Sequence, residues 1–328
     1  MVINNSEIYH ATVFTLRRRE HGEPVAVLVA QGAPSGPLPP TYVGGRALRW
    51  GERTYIMGVL NLTPDSFSGD GLGPCPPPER VRSRAEELLA AGADLLDLGG
   101  ESTRPGSEAV PVEEELRRVL PAVEALAPLG ALLSIDTWKA RVADAALSAG
   151  AALVNDVTGL TGDPEMAAVV AQRRAPVIIV HNPRGPHGAD RPWTQRYRDL
   201  LADIIRWLSC RIEYALAAGV AWENILLDPG VGFAKTAAQN LELLRRLPEL
   251  RGLGRPLVLG ISRKRTIARV LGLPVDAPPH ELLEGNAAAV ALCIAGGADI
   301  VRVHDVAAMA RAARMADAIV RGHPAARR

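Results

Sequence analysis

Aromatic residues make up only 4% of this 328-residue chain, so stacked rings cannot dominate its core and packing must rest on alanine and branched aliphatics. Cysteine is almost missing. Cys75, Cys210 and Cys293 are too few and too scattered for a disulfide framework or a zinc motif, and free thiols in a reducing, cytoplasmic setting are expected. Neither charge sign prevails: 37 basic residues meet 36 acidic ones. No long-range field therefore draws the chain to nucleic acid or an acidic membrane, and any anion recognition must be local. Long hydrophobic runs are lacking too. The stretch AAAVALCIAGG falls short of a membrane span, and MVINNSEIYH has no signal-peptide pattern, so neither a membrane partner nor secretion is expected.

What is present is repetition. Eight short apolar runs recur between residues 55 and 305: YIMGVLN, DLLDLG, ALLSID, ALVND, PVIIVH, NILLD, PLVLGIS and DIVRVHD. Helix-period segments such as PERVRSRAEELLAAG and TQRYRDLLADIIRWLSCRIEYALAAG separate them. Alternation of this kind predicts the α/β class, and eight units predict a closed (β/α)8 TIM barrel. The expected division is 1–43 as an N-terminal β-hairpin extension with a Pro/Gly linker, and 44–328 as the barrel. Within GGRALRWGERTYIMG a second hairpin, turned at Gly51, would plug the N-terminal end of the barrel.

Loop lengths locate the working end. Helix-to-strand connections are brief, whereas Leu62 to Pro78, Gly100 to Pro111 and Asn182 to Thr194 are long strand-to-helix loops. Such loops gather at the C-terminal face of this fold, where active sites form. The strand ends bring Asn61, Asp97, Glu101, Thr103, Arg104, Asp136, Asn155, Asp156, His181, Asp228, Ser262, Arg263, Lys264, Arg302, His304 and Asp305 to that face. Asp156 and Asp305 read equally well as helix N-caps. Arg302 and His304 share parity and suit an anion together with Ser262, Arg263, Lys264, Thr103, Arg104 and Ser107, although a core carboxylate could also claim Arg302. Asp136, Asn155 and Asp228 offer acceptors and one amide, which would satisfy a flat, nitrogen-rich heterocycle. Lys264 could pair with Asp228 beside it. DPGVGFAKT lacks P-loop spacing and reads as a turn.

In order along the chain, GVLNLTPDSFSGDG, DLGGESTRPGS, SIDTWK, NDVTG, LDPGVGFAKT, GISRK and RVHDV closely resemble the motifs of the dihydropteroate synthases. The resemblance covers about residues 44–320. It implies a transferase that joins 6-hydroxymethyl-7,8-dihydropterin diphosphate to p-aminobenzoate and releases pyrophosphate with Mg²⁺ present. It assigns Asn61 to the metal and diphosphate, and Thr103, Arg104, Arg302 and His304 to the diphosphate. Asp136, Asn155, Asp228 and Lys264 would hold the pterin, with Asp136, Lys264, Arg302 and His304 nearest the chemistry. Thr63, Pro64, Asp65, Ser66 and Phe67 would form a lid over p-aminobenzoate. A homodimer through the Ala-rich last helices is implied as well. The chain departs from the family at VHNPRG, where Asn182 replaces a usual Met, at Arg265, and in its first 40 or so residues. A methyltetrahydrofolate-dependent methyltransferase and a non-catalytic pterin-binding paralogue are the competing readings.

Overall fold

The computed structural model describes residues 38–63, 72–103, 107–186 and 197–322, together with the two-residue strands β1 (Arg17–Arg18) and β2 (Pro24–Val25), which pair antiparallel. Eight parallel strands follow the sequence runs: β5 (Tyr55–Asn61), β6 (Leu95–Gly99), β7 (Leu132–Asp136), β8 (Leu153–Asp156), β9 (Val177–Val180), β10 (Ile225–Asp228), β11 (Val258–Leu259) and β12 (Ile300–Val303). Their order is β10-β9-β8-β7-β6-β5-β12-β11, and a parallel bridge between Leu227 and Leu257 joins the two ends into a barrel.

Period-two alternation divides each strand between two cores. Inward residues Tyr55, Met57, Leu95, Leu132, Leu153, Ile178, Leu226, Val258 and Ile300 form the cluster that fills the lower barrel. Outward residues such as Ile56, Leu96, Leu133, Val154, Ile179, Leu227 and Val301 join the larger cluster beneath the helices. The plug hairpin consists of β3 (Thr41–Val43) and β4 (Arg46–Leu48), and its Val43 and Leu48, with Trp50 just beyond, belong to the inner cluster. Its turn is at Gly44 and Gly45, not Gly51. Both have positive φ, +53° and +78°, which the tight connection of a right-twisted hairpin requires. Trp50 is fixed by a hydrogen bond from Nε1 to Thr41 Oγ1 at 3.2 Å and by an edge-on contact with Tyr55.

Helices α1 (Pro78–Ala90), α2 (Val112–Leu126), α3 (Ala140–Ala149), α4 (Met166–Arg173), α5 (Leu200–Ala217), α6 (Ala237–Arg245), α7 (Arg265–Val270), α8 (Leu283–Ala295) and α9 (Val306–Asp317) make the outer layer. The long periodic segment before β10 becomes helical only at Leu200, because Asp199 accepts from Ala202 N at 3.1 Å and caps the helix there. Thr236 and Gln239 form a reciprocal capping box at the start of α6. Among the described residues, no helix is long and apolar enough to cross a membrane.

Candidate active site

The parity that buries Leu95 and Leu132 inside the lower barrel aims the next inward residues at its C-terminal mouth. Strand register sets Gly99 beside Asp136 and Asp136 beside Asn155. Asp97, one pleat below Gly99, is completely buried, and its Oδ2 accepts from Arg302 Nε at 2.5 Å and from Asn155 Nδ2 at 3.0 Å. Arg302 Nη2 also donates to Asp136 Oδ2 at 2.8 Å. One guanidinium from β12 thus ties together carboxylates from β6 and β7, while an amide from β8 joins through Asp97.

Electrostatics follow from burial. Desolvation pushes the Asp136 carboxyl up to about 7, with Asp97 adding repulsion and Arg302 pulling the other way. Desolvation works against the Arg302 guanidinium, yet Asp97 and Asp136 outweigh it and raise its affinity for the proton. Asp228, on the far side of the mouth, is also raised by burial, although Gly230 N donates to its Oδ1 at 2.7 Å and Lys264 and Lys235 oppose the shift.

The turn after β10 seats Lys264. Gly232 has φ +83°, and a Cβ there would lie 2.9 Å from Lys264 Cδ, so the absent side chain makes room for the lysine stem. The Lys264 ammonium sits 4.5 Å from the centre of the Phe233 ring, a cation–π contact, and within electrostatic reach of Asp228. Lys235 holds the turn from beneath. Its Nζ donates to Gly230 O at 2.9 Å and Phe233 O at 3.1 Å, and meets His181 Nδ1 at 2.9 Å. Burial drops this lysine to about 7, and burial with Lys235 drives His181 well below its ordinary value.

A second buried network anchors the loop after β6. Lys139 Nζ bonds Glu101 Oε2 at 2.9 Å, Val110 O at 2.6 Å and Glu115 Oε2, while Trp138 Nε1 donates to Glu101 at 2.8 Å. Burial raises the Glu101 carboxyl, but bonds from Val110 N and Lys139 exceed that and leave it below the usual range. Burial raises Glu115.

The structure therefore brings Asp136, Asn155 and Arg302 into one hydrogen-bonded group with Asp97, and packs Lys264, from the loop after β11, against the turn that follows Asp228. Asn61 is half-buried at the end of β5. Its Oδ1 and Asp136 Oδ2 lie 3.9 and 3.8 Å from the position a Cβ would take on Gly99, so that glycine leaves open space between them. His304 Nδ1 and backbone N meet Ser262 Oγ at 3.1 and 3.2 Å. Thr103 is half-buried on the β6 loop and Thr63 is buried at the foot of the β5 loop. Arg104, Pro64, Asp65, Ser66 and Phe67 lie outside the described residues.

Several expectations change. Of the two readings of Arg302, the core carboxylate is realised, since Asp97 and Asp136 both accept from it. Arg263, read with Ser262 and Lys264 for an anion, forms a two-point pair with Asp305 at 3.1 and 2.6 Å. Asp305 consequently makes no side-chain cap to α9. Asp156 is no helix cap either, since its carboxylate receives Thr158 N, Thr158 Oγ1 and Leu160 N and braces the loop after β8. Asn182 Nδ2 folds onto Gly185 O at 2.8 Å, and Arg265 is exposed at the start of α7. Asp97, Glu101 and His181 were visible as strand-end residues without a role. Parity could have singled out Asp97, whereas nothing local links Lys235 to His181 or Lys139 to Glu115.

A (β/α)8 barrel whose mouth carries buried carboxylates, an amide and an arginine defines an enzyme class suited to a polar heterocycle, and residues 57–304 match the pterin-binding enzyme family, to which the chain belongs. Within it the chain belongs with the dihydropteroate synthases. It is 47% identical over 284 residues to the dihydropteroate synthase of Synechocystis sp., covering 86% of this chain and 96% of that protein. The Xanthomonas albilineans dihydropteroate synthase crystallised with 4-aminobenzoic acid superposes with a TM-score of 0.77 at 42% identity, covering 86% of this chain and 98% of that one. The same enzyme in complex with 7,8-dihydropteroate gives 0.73 at 40% identity over the same shares.

Proposed function

We propose that this chain condenses 6-hydroxymethyl-7,8-dihydropterin diphosphate with p-aminobenzoate to give 7,8-dihydropteroate and pyrophosphate. The observation that carries this is the inward-facing group of Asp97, Asp136, Asn155, Asp228 and Arg302 at the C-terminal end of one barrel. The pterin's ring N–H and amino donors would meet Asp136, Asn155 and Asp228, with Lys264 donating to its carbonyl. Asn61, Thr103, Arg104, Arg302 and His304 would face the diphosphate, and residues 63–67 would close over p-aminobenzoate.

In the reaction the bond from the exocyclic methylene carbon to the diphosphate oxygen breaks, and its electron pair leaves with pyrophosphate. The electron-rich pterin stabilises the cation, Asp136 beside it supplies negative charge, and the arylamine nitrogen then bonds the carbon and releases a proton. Positional oxygen exchange within the diphosphate, occurring without p-aminobenzoate, is the expected signature. Its absence, together with a rate that tracks amine nucleophilicity steeply, contradicts this order of events.

Mg²⁺ carried by a diphosphate asks a protein for only one or two oxygens, and the Asn61 amide oxygen beside the gap at Gly99 could provide one. Held by Asn61, the metal would supply neutralisation of the charge that grows on the departing diphosphate.

A homodimer is proposed through α8, α9 and the turn beyond α9, where Leu292, Met315 and Ile319 are 70%, 64% and 72% exposed. A cytosolic location suits the free thiols Cys75, Cys210 and Cys293. The test of function is pyrophosphate release by purified protein given the pterin diphosphate, p-aminobenzoate and Mg²⁺. Release that requires the arylamine supports a synthase. Pterin binding without release points to a binding paralogue, and indifference to p-aminobenzoate points to a methyltransferase.

A further inference from the structure

We infer that Asp97, buried beneath the mouth, is the positioning residue that decides which way round the Asn155 amide meets the pterin. This rests on the pterin proposal above. Asp97 is 0% exposed and sits a full pleat below the mouth, yet a single oxygen, Oδ2, receives both Asn155 Nδ2 at 3.0 Å and Arg302 Nε at 2.5 Å. Its other oxygen, Oδ1, is buried and has no hydrogen-bond partner among the described residues, so both of its links to the mouth converge on one atom.

An amide has two faces of opposite character, and a carboxylate can only accept. Asp97 therefore selects the nitrogen end of Asn155 and turns the carbonyl oxygen toward the cavity. Asn155 Oδ1 takes no hydrogen bond among the described residues, and the residue keeps 6% exposure on the same inward parity as Asp136. Without Asp97 the amide could turn over about its last torsion and present N–H where the ring offers N–H. Arg302 also meets Oδ2, but it keeps its own bond from Nη2 to Asp136 at 2.8 Å, so Asn155 is the neighbour of the heterocycle whose orientation depends on Asp97.

The test measures binding of 6-hydroxymethylpterin, which lacks the diphosphate, by titration calorimetry. Wild-type protein that fails to bind it overturns the pterin proposal and this inference with it. Given wild-type binding, Asp97→Ala and Asn155→Ala should each weaken affinity about tenfold to a hundredfold, the loss expected when a buried polar group is mispaired. The double variant should be no weaker than Asn155→Ala within about threefold, because Asp97 acts through Asn155. Asp97→Asn keeps an acceptor oxygen at the Oδ2 position and should restore binding to within about threefold of wild type. Losses that multiply in the double variant, near-normal binding by Asp97→Ala, or failure of Asp97→Asn to rescue overturns the inference. Should Asp97→Ala not fold, ¹⁵N-labelled wild-type protein decides the matter without ligand. If Asn155 is held by Asp97, one of its two Nδ2 protons is protected from exchange with water, and a pair that exchanges as fast as an exposed amide contradicts the inference.

Discussion

Replacing Arg302 with Met should unfold this barrel more easily as well as stop turnover. Arg302 lies between Asp97 and Asp136, whose side chains are 0% and 19% exposed, and its own side chain is 22% exposed. Removing one member of a buried ion pair strands the other, at a cost of about 3–5 kcal/mol. With roughly 2–4 °C lost per kcal/mol in larger domains, the melting temperature should fall by about 6–20 °C at pH 8. The sign of the pH effect follows from the same stranding. Without the cation the Asp136 carboxyl is raised further above its unfolded value, so the variant recovers stability as pH falls and it takes up a proton. Circular dichroism melts of both proteins at pH 8 and pH 5.5 provide the assay, and the gap should narrow at the lower pH. A fall of under about 2 °C that does not change with pH would refute the idea that Arg302 is the counter-ion of this buried acid pair.

Further outcomes follow from the same geometry. Asp136 is raised to about 7, above its unfolded value, so its contribution to stability is complete below the unfolded pKa and lost as pH rises through about 7. Ligand binding has the opposite sense: affinity for 6-hydroxymethylpterin should fall as pH drops through about 7, and Asp136→Asn should remove that limb in calorimetric titrations. Gly99→Ala should fold normally, since its Cβ would lie 3.7 Å from Asp136 Cβ, but the methyl would enter the gap beside Asn61. Turnover should fall at least about tenfold while stability changes by less than about 1 kcal/mol, and unchanged turnover contradicts the location of the site. Lys139→Met leaves Glu101 and Glu115 without their cation and should cost about 3–5 kcal/mol, much of it restored by adding Glu115→Gln, as urea titrations would reveal. Trp50→Ala, at a plug residue 5% exposed, should cost about 3–5 kcal/mol yet leave kcat at low temperature unchanged.

The barrel was legible because each strand carries its own signal: β-branched runs of even spacing, bounded by helical periods, with a polar residue at the tip. Where the local signal weakens, so does the match. PLVLGIS yields only Val258–Leu259 as strand, and Gly260 lies just past its end. Both GG at 44–45 and WG at 50–51 look like turns, and only packing of Val43, Leu48 and Trp50 into the barrel selects the first. In the site, a period of two gave Arg302 and His304 a common direction, and the same count along β6 would have singled out Asp97. Pairing was not legible. Arg302 meets Asp97 across 205 residues and Lys139 meets Glu115 across 24, and such partnerships depend on where long side chains lean in the folded barrel. The carboxylate partners of Arg263 and Arg302, both read as suited to an anion, were hidden for that reason.

A crystal structure of the protein with 6-hydroxymethylpterin tests the central claim most directly. The account predicts the heterocycle inside the C-terminal mouth, its N–H groups within hydrogen-bond distance of Asp136, Asn155 and Asp228. A pterin found elsewhere, for example in the 310 Å³ cavity at the opposite end of the barrel lined by Arg53, Asp94 and Arg314, would contradict it.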